Sequence, residues 1–125
     1  MTTIIPTLRY RDARQAIDFL VDAFGFDRHA VMEGPDGAIG HAELRLGDGY
    51  VMIGTVGHGT SELDDTAGHA AIYVVVDDPD AHQARAAAAG AEITMGLTDQ
   101  DYGSREYGAR DPEGNRWYFG TYRPS

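Results

Sequence analysis

Apolar and polar positions along this chain change rhythm several times, and each change marks an element. Ile4 to Arg9 form a short, apolar, β-compatible run with Pro6 near its start, where a missing amide is tolerated, and this predicts a first strand. Beyond Asp12, a suitable N-cap, Ala16, Ile17, Phe19, Leu20, Ala23 and Phe24 recur at helical spacing until Gly25 supplies a left-handed stop. From Arg28 to Gly54 the texture becomes short apolar runs cut by Gly34-Pro35-Asp36-Gly37 and Gly47-Asp48-Gly49. Such turn signals predict antiparallel strands near 28–33, 38–46 and 50–54. The stretch from Gly57 to Thr66 is polar and reads as an exposed connection.

The second half repeats this grammar. Ala70 to Val76 is a β-branched strand, Asp77-Asp78-Pro79 opens a helix with Pro suited to its first turn, and an alanine-rich helix over 81–89 stops at Gly90. Then come a strand at Glu92 to Met95, a loop, a strand at Arg105 to Arg110, the turn Asp111-Pro112-Glu113-Gly114-Asn115 and a last strand from Arg116 to Tyr122. Gly25 and Gly90 lie 65 positions apart, as do Gly49 and Gly114, and Gly54 and Gly120 lie 66 apart. A constant offset at three landmarks points to a duplicated βαβββ unit. The expected organisation is one α+β domain over 1–125, with module one at about 1–56, a connection at about 57–68 and module two at about 69–125.

Bulk properties narrow the function. The chain has 125 residues, 42% of them hydrophobic, enough for one compact core. No run reaches the roughly 20 apolar residues that cross a bilayer, and the first apolar residues lack a basic flank, so the expected location is the cytoplasm, away from any membrane. There is no cysteine, which removes thiolate nucleophiles, disulfides and cysteine metal clusters. A net charge of -10 repels phosphate backbones, so nucleic acid is not an expected partner, whereas a cationic small molecule is attracted.

Several stretches together carry a resemblance. They are Arg9-Tyr10-Arg11-Asp12-Ala13 and Phe24-Gly25-Phe26 in the first half, then Val76 to Ala81, Ala88 to Ile93, and above all Tyr107 to Trp117 with its Asp-Pro-x-Gly-Asn turn. A duplicated βαβββ chain with these motifs resembles the glyoxalase/bleomycin-resistance (vicinal oxygen chelate) superfamily, and its metal-free, bleomycin-resistance branch in particular. The resemblance implies a curled, cup-like mixed sheet with helices outside, often in a homodimer whose cups are shared between copies. It also implies metal-ligand positions at Ile5, Ala71 and Tyr118, none a usual ligand for a divalent cation. The expectation is therefore binding without a cofactor, of the antibiotic-resistance kind, rather than catalysis.

Alternation along the strands selects residues for such a cup. His41 and Glu43 share one strand face, and Tyr118 sits opposite in phase to Trp117 and Phe119. With Met52 and Tyr107 they supply the mixture of apolar and fixed polar groups that small-molecule pockets use. Trp117 adds aromatic area, chiefly beneath the helices. The alternative is a metal-dependent lyase or dioxygenase of the same superfamily, in which His41, Glu43 and His69 hold a divalent ion. His29, His58 and His82 read as surface residues, and Arg105 with Glu106 as a solvated ion pair. Ser61 and Ser104 have no evident His partner, and Gly54 to Gly59 lacks the Lys-Ser/Thr of a phosphate loop.

Overall fold

A computed structural model describes residues 2–58 and 61–124. Module one contains β1 (Thr7–Tyr10), α1 (Ala13–Phe24), β2 (Asp27–Glu33), β3 (Ile39–Leu46) and β4 (Gly49–Thr55); one helical turn, α2 (Ser61–Asp64), lies in the connection; module two contains β5 (Ala71–Val75), α3 (Pro79–Ala88), β6 (Glu92–Asp99), β7 (Arg105–Arg110) and β8 (Arg116–Gly120). Each module forms its own four-stranded mixed sheet, in the orders β1-β4-β3-β2 and β5-β8-β7-β6. In each, the first strand runs parallel to the last and the remaining pairs are antiparallel. This is the fold that the resemblance implies.

The duplication is visible in the caps. Asp12 accepts from the Gln15 amide and Asp78 from the Ala81 amide, so both helices begin on an aspartate, 66 positions apart. Both helices are followed by a left-handed glycine, Gly25 at φ 85° and Gly90 at φ 90°. The hairpin turns do not match in this way. The first has two residues, Gly47-Asp48, and its left-handed glycine is Gly47 rather than Gly49; the second spans 111–115 and turns at Gly114.

Three further expectations change. β6 runs on to Asp99, past the expected end at Met95, because register shifts let Met95 and Thr98 keep partners on β7. The connection is not featureless, since it holds α2; its Gly59 and Thr60, together with the Ser61 side chain, lie outside the described residues. His82 is no surface residue. Its ring lies 4.2 Å from that of Phe119 and its nitrogens bond the Phe24 carbonyl and the Tyr107 hydroxyl.

The core forms where the helices cover the sheets. Leu8, Tyr10, Ala42, Leu44, Val51 and Ile53 face α1 from the first sheet, and Tyr107, Ala109, Trp117 and Phe119 face the helices from the second. Phe24, at the end of α1, joins the modules by packing 5.5 Å from Trp117 and 4.7 Å from Phe119. Aromatic pairs at such spacings each contribute about 0.5–1.5 kcal/mol beyond their area.

Candidate functional site

The faces turned away from the helices hold the polar chemistry. On the first sheet, strand alternation brings His41, Glu43 and Met52 to this open face, where Glu43 pairs with Met52 across β3 and β4. His41 Nε2 lies 3.0 Å from one Glu43 oxygen, and His29 Nε2 lies 3.9 Å from the other. Beside them Arg9 is only 9% exposed, and its Nε has no hydrogen-bond partner among the described residues. Its guanidinium lies over Gly54, where a Cβ would come within 2.0 Å of the Arg9 nitrogen.

On the second sheet Tyr118 stands on the open face and leans over Gly108, where a Cβ would sit 3.1 Å from the Tyr118 ring. Trp117 and Tyr107 do not join it. Both are fully buried on the helix side, Trp117 donating through Nε1 to Asp111 and Tyr107 bonding His82. Alternation explains Trp117; Tyr107 is one residue out of phase with the open-face positions Glu106 and Gly108, which corrects its assignment to the pocket. Burial pushes the Tyr107 hydroxyl's pKa up, and burial likewise pulls that of His82 down, more than its bond to the Phe24 carbonyl raises it.

Glu106 is the feature the sequence reading missed. It is 6% exposed and does not pair with Arg105, which reaches Asp80 at 2.7 Å and Asp99 at 3.1 Å instead. The Glu106 carboxylate accepts from the hydroxyls of Tyr73 at 2.8 Å, Tyr102 at 2.8 Å and Ser104 at 2.9 Å. Desolvation raises its pKa, but the tyrosine and serine hydroxyls outweigh that and hold it below the usual carboxylate value. The only sequence signal was alternation: Glu106 shares the phase of Gly108, not of Tyr107.

Asp111 does more than cap its turn. Its Oδ1 accepts the amides of Glu113 and Asn115, while Oδ2 accepts the Tyr10 hydroxyl at 2.6 Å, Trp117 Nε1 at 3.1 Å and Asn115 Nδ2 at 3.1 Å. Asn115 Oδ1 in turn takes the Ala70 amide. The most motif-like turn of the chain is thus a buried bond between modules, and burial next to Asp111 drives the Tyr10 pKa far upward.

The positions discussed for a metal are dispersed. Ile5 precedes β1, Ala71 begins β5, Tyr118 is in β8, and His69 is exposed ahead of β5. Ile5 and Ala71 offer no side-chain donor, and among the described residues no group of three or more His, Asp or Glu is disposed to hold a metal ion. Between the modules lies a cavity of about 690 Å³ walled largely by apolar residues, among them Ile4, Phe26, Leu46, Ile72 and Val74.

Paired βαβββ modules, each with its own four-stranded mixed sheet, define the class of fold to which this chain conforms. The profile of the Glyoxalase/Bleomycin resistance protein/Dioxygenase superfamily matches residues 4–119, and the chain belongs to that superfamily. An uncharacterised protein of Mycobacterium bovis is 36% identical over 121 residues, covering 92% of this chain and 80% of that one. Among solved structures, TioX from Micromonospora sp. ML1 is 35% identical with a TM-score of 0.83, covering 98% of this chain and all of TioX. The bleomycin-binding protein of bleomycin-producing Streptomyces verticillus, solved with copper(II)-bleomycin, is 26% identical with a TM-score of 0.71 over 98% of both chains. No helix among the described residues is long and apolar enough to cross a membrane.

Proposed function

We propose that this protein binds and sequesters a small aromatic or cationic molecule, without a metal, in cups that two copies build together in the cytoplasm. The observation that carries this reading is the pair of sheet faces turned away from the helices, each lined by polar and apolar groups: half-buried His41, Glu43 and Met52 on one, and exposed Tyr73, buried Glu106 and half-buried Tyr118 on the other. The copper(II)-bleomycin complex of the Streptomyces verticillus protein supports it by similarity. β1 and β5 support the homodimer, because each is an edge of its sheet and β5 is a run of Ala, Ile, Tyr and Val paired with β8 on one side, its outer edge left open among the described residues. Binding acts by mass action, and a net charge of -10 speeds the encounter with a cation.

The test is calorimetric titration with bleomycin and a panel of cationic aromatic antibiotics, before and after chelation with EDTA. Saturable binding that survives chelation is the expected result, together with a solution mass twice the 13.5 kDa of one chain. Absence of binding across the panel overturns the proposal. The contact between His41 and Glu43 favours the metal-dependent lyase or dioxygenase as a second reading, which requires binding or turnover that EDTA abolishes.

A further inference from the structure

Three tyrosines from separate segments converge around Glu106. Tyr73 comes from β5, Tyr102 from the turn between β6 and β7, and Tyr122 from the residues after β8. The turn is closed by Gln100 N donating to the Ser104 carbonyl, and Gly103 at φ 90° provides the reversal that presents Tyr102. The Tyr122 amide donates to the Tyr73 hydroxyl at 3.1 Å, fixing the tail against β5. The rings of Tyr102 and Tyr122 then meet edge to face, 5.7 Å apart at 89°.

Burial within this cluster is inverted. Glu106 is 6% exposed, yet Tyr73, Tyr102 and Tyr122 are 40%, 55% and 44% exposed. Large aromatic rings are left in solvent while the charge lies beneath them. Together with Val75 and Pro124 these residues line a cavity of about 690 Å³. Gly120 keeps the floor open, because a Cβ there would fall 2.4 Å from both Glu106 Cγ and the Tyr73 hydroxyl. The hydroxyls satisfy the carboxylate oxygens as hydrogen-bond acceptors but bring no positive charge, so a full negative charge remains under the rings.

We propose that Tyr73, Tyr102 and Tyr122 with Glu106 form a cage for an organic ammonium group, the cationic end of the molecule that the cup binds. A ring face attracts a cation through its quadrupole, and a low-polarity group such as a methylated ammonium sheds water easily enough to exchange it for ring faces. Glu106 then neutralises the charge without a direct hydrogen bond. A neutral aromatic ligand would use the ring walls but gain nothing from the buried carboxylate, which is why the pair of features selects a cation. This assignment rests on the small-molecule reading above and gives it a specific contact.

The probes are choline and tetramethylammonium, with 3,3-dimethylbutan-1-ol as the uncharged isostere of choline, titrated into the full chain while tyrosine ring signals are followed by NMR. Saturable shifts of the Tyr73, Tyr102 and Tyr122 signals are expected with the cations, and about tenfold weaker binding with the alcohol. Glu106→Gln, which removes the charge but keeps the side chain's shape and one acceptor oxygen, removes that discrimination; Tyr102→Leu weakens the cations about fivefold while Tyr102→Phe preserves the ring and most of the binding. Equal binding of choline and the alcohol, or cation binding that leaves these signals unmoved, overturns the cage. Repeating the antibiotic titration with Glu106→Gln separates the two readings. Antibiotics that bind wild type and variant alike remove the cage and leave sequestration standing, whereas choline binding in the cage with no antibiotic bound does the reverse.

Discussion

Gly54 and Gly120 hold corresponding places in the two modules, 66 positions apart on the last strand of each sheet, and the groups that lie over them are opposite in kind. Over Gly54 sits Arg9, a buried cation whose Nε has no partner among the described residues; over Gly120 sit Glu106 and Tyr73, a buried anion ringed by hydroxyls. The duplicated backbone therefore keeps a vacant Cβ position in both sheets and fills it with different chemistry. Fold symmetry sets the room, and the side chains decide what it is used for.

The hairpin turns differ more strongly still. Asp48 stands in a short exposed turn, while Asp111 is 4% exposed and holds Tyr10, Asn115 and Trp117. Asp111→Ala strands four buried donors, the Tyr10 hydroxyl, Trp117 Nε1 and the backbone and side-chain amides of Asn115, and should cost on the order of 3–5 kcal/mol in denaturant unfolding, against less than about 0.5 kcal/mol for Asp48→Ala. Equal losses would remove the distinction between the turns.

The glycines come next in size. At Gly120 a Cβ meets Glu106 Cγ, the Tyr73 hydroxyl and the Arg105 carbonyl, atoms held by the cluster and the backbone. Gly120→Ala should destabilise by about 1–3 kcal/mol. At Gly54 the nearest obstacle is the tip of the flexible Arg9 side chain, so Gly54→Ala should cost less than about 1 kcal/mol. Thermal melts of the two variants side by side test this directly.

Arg9 itself should respond in the opposite direction from Glu106. Arg9 is 9% exposed and its Nε has no partner among the described residues, so exchanging it for an apolar chain of similar length removes a desolvation penalty, and Arg9→Met should raise stability by about 1 kcal/mol. Glu106→Gln removes charge-assisted bonds and should lower it by a comparable amount. A loss with Arg9→Met would mean that the guanidinium is paired in the folded state in solution.

The smallest effect is a drift with pH. The folded-state pKa of His82 lies below its ordinary value of 6.5, chiefly through desolvation, so the unfolded chain takes up a proton first as pH falls. Stability from this group is complete above about pH 6.5 and declines below it until the folded pKa is reached. Replacing His82 by Gln should flatten the melting temperature between pH 7 and 5; an unchanged slope would assign the drift to carboxylates. Glu106, with its lowered pKa, contributes at neutral pH and loses its contribution only as pH falls through that lowered value.

How much of this was legible beforehand depended on range. The helices with their aspartate caps and glycine stops, the strand at Arg105 to Arg110 and the duplication were readable because caps, turns and strand alternation are set by residues a few positions apart. The same alternation correctly set Tyr118 apart from Trp117. At Tyr107 alternation places the ring on the buried face with Phe119 rather than in the pocket, and it carries no signal of where Arg105 finds its acids, since Asp80 lies 25 residues away.

By itself, then, the sequence determined the order of elements, the two modules, the family and the negative field around the molecule. Tertiary structure alone decided that Asp111 joins Tyr10 across 101 residues, that Arg9 lies over Gly54, and that Tyr73 of β5 and Tyr122 after β8 join the nearby Tyr102 around Glu106. The physical reason is that hydrogen bonds and desolvation depend on which groups are brought within a few ångströms, and only packing of the sheets against α1 and α3 fixes that.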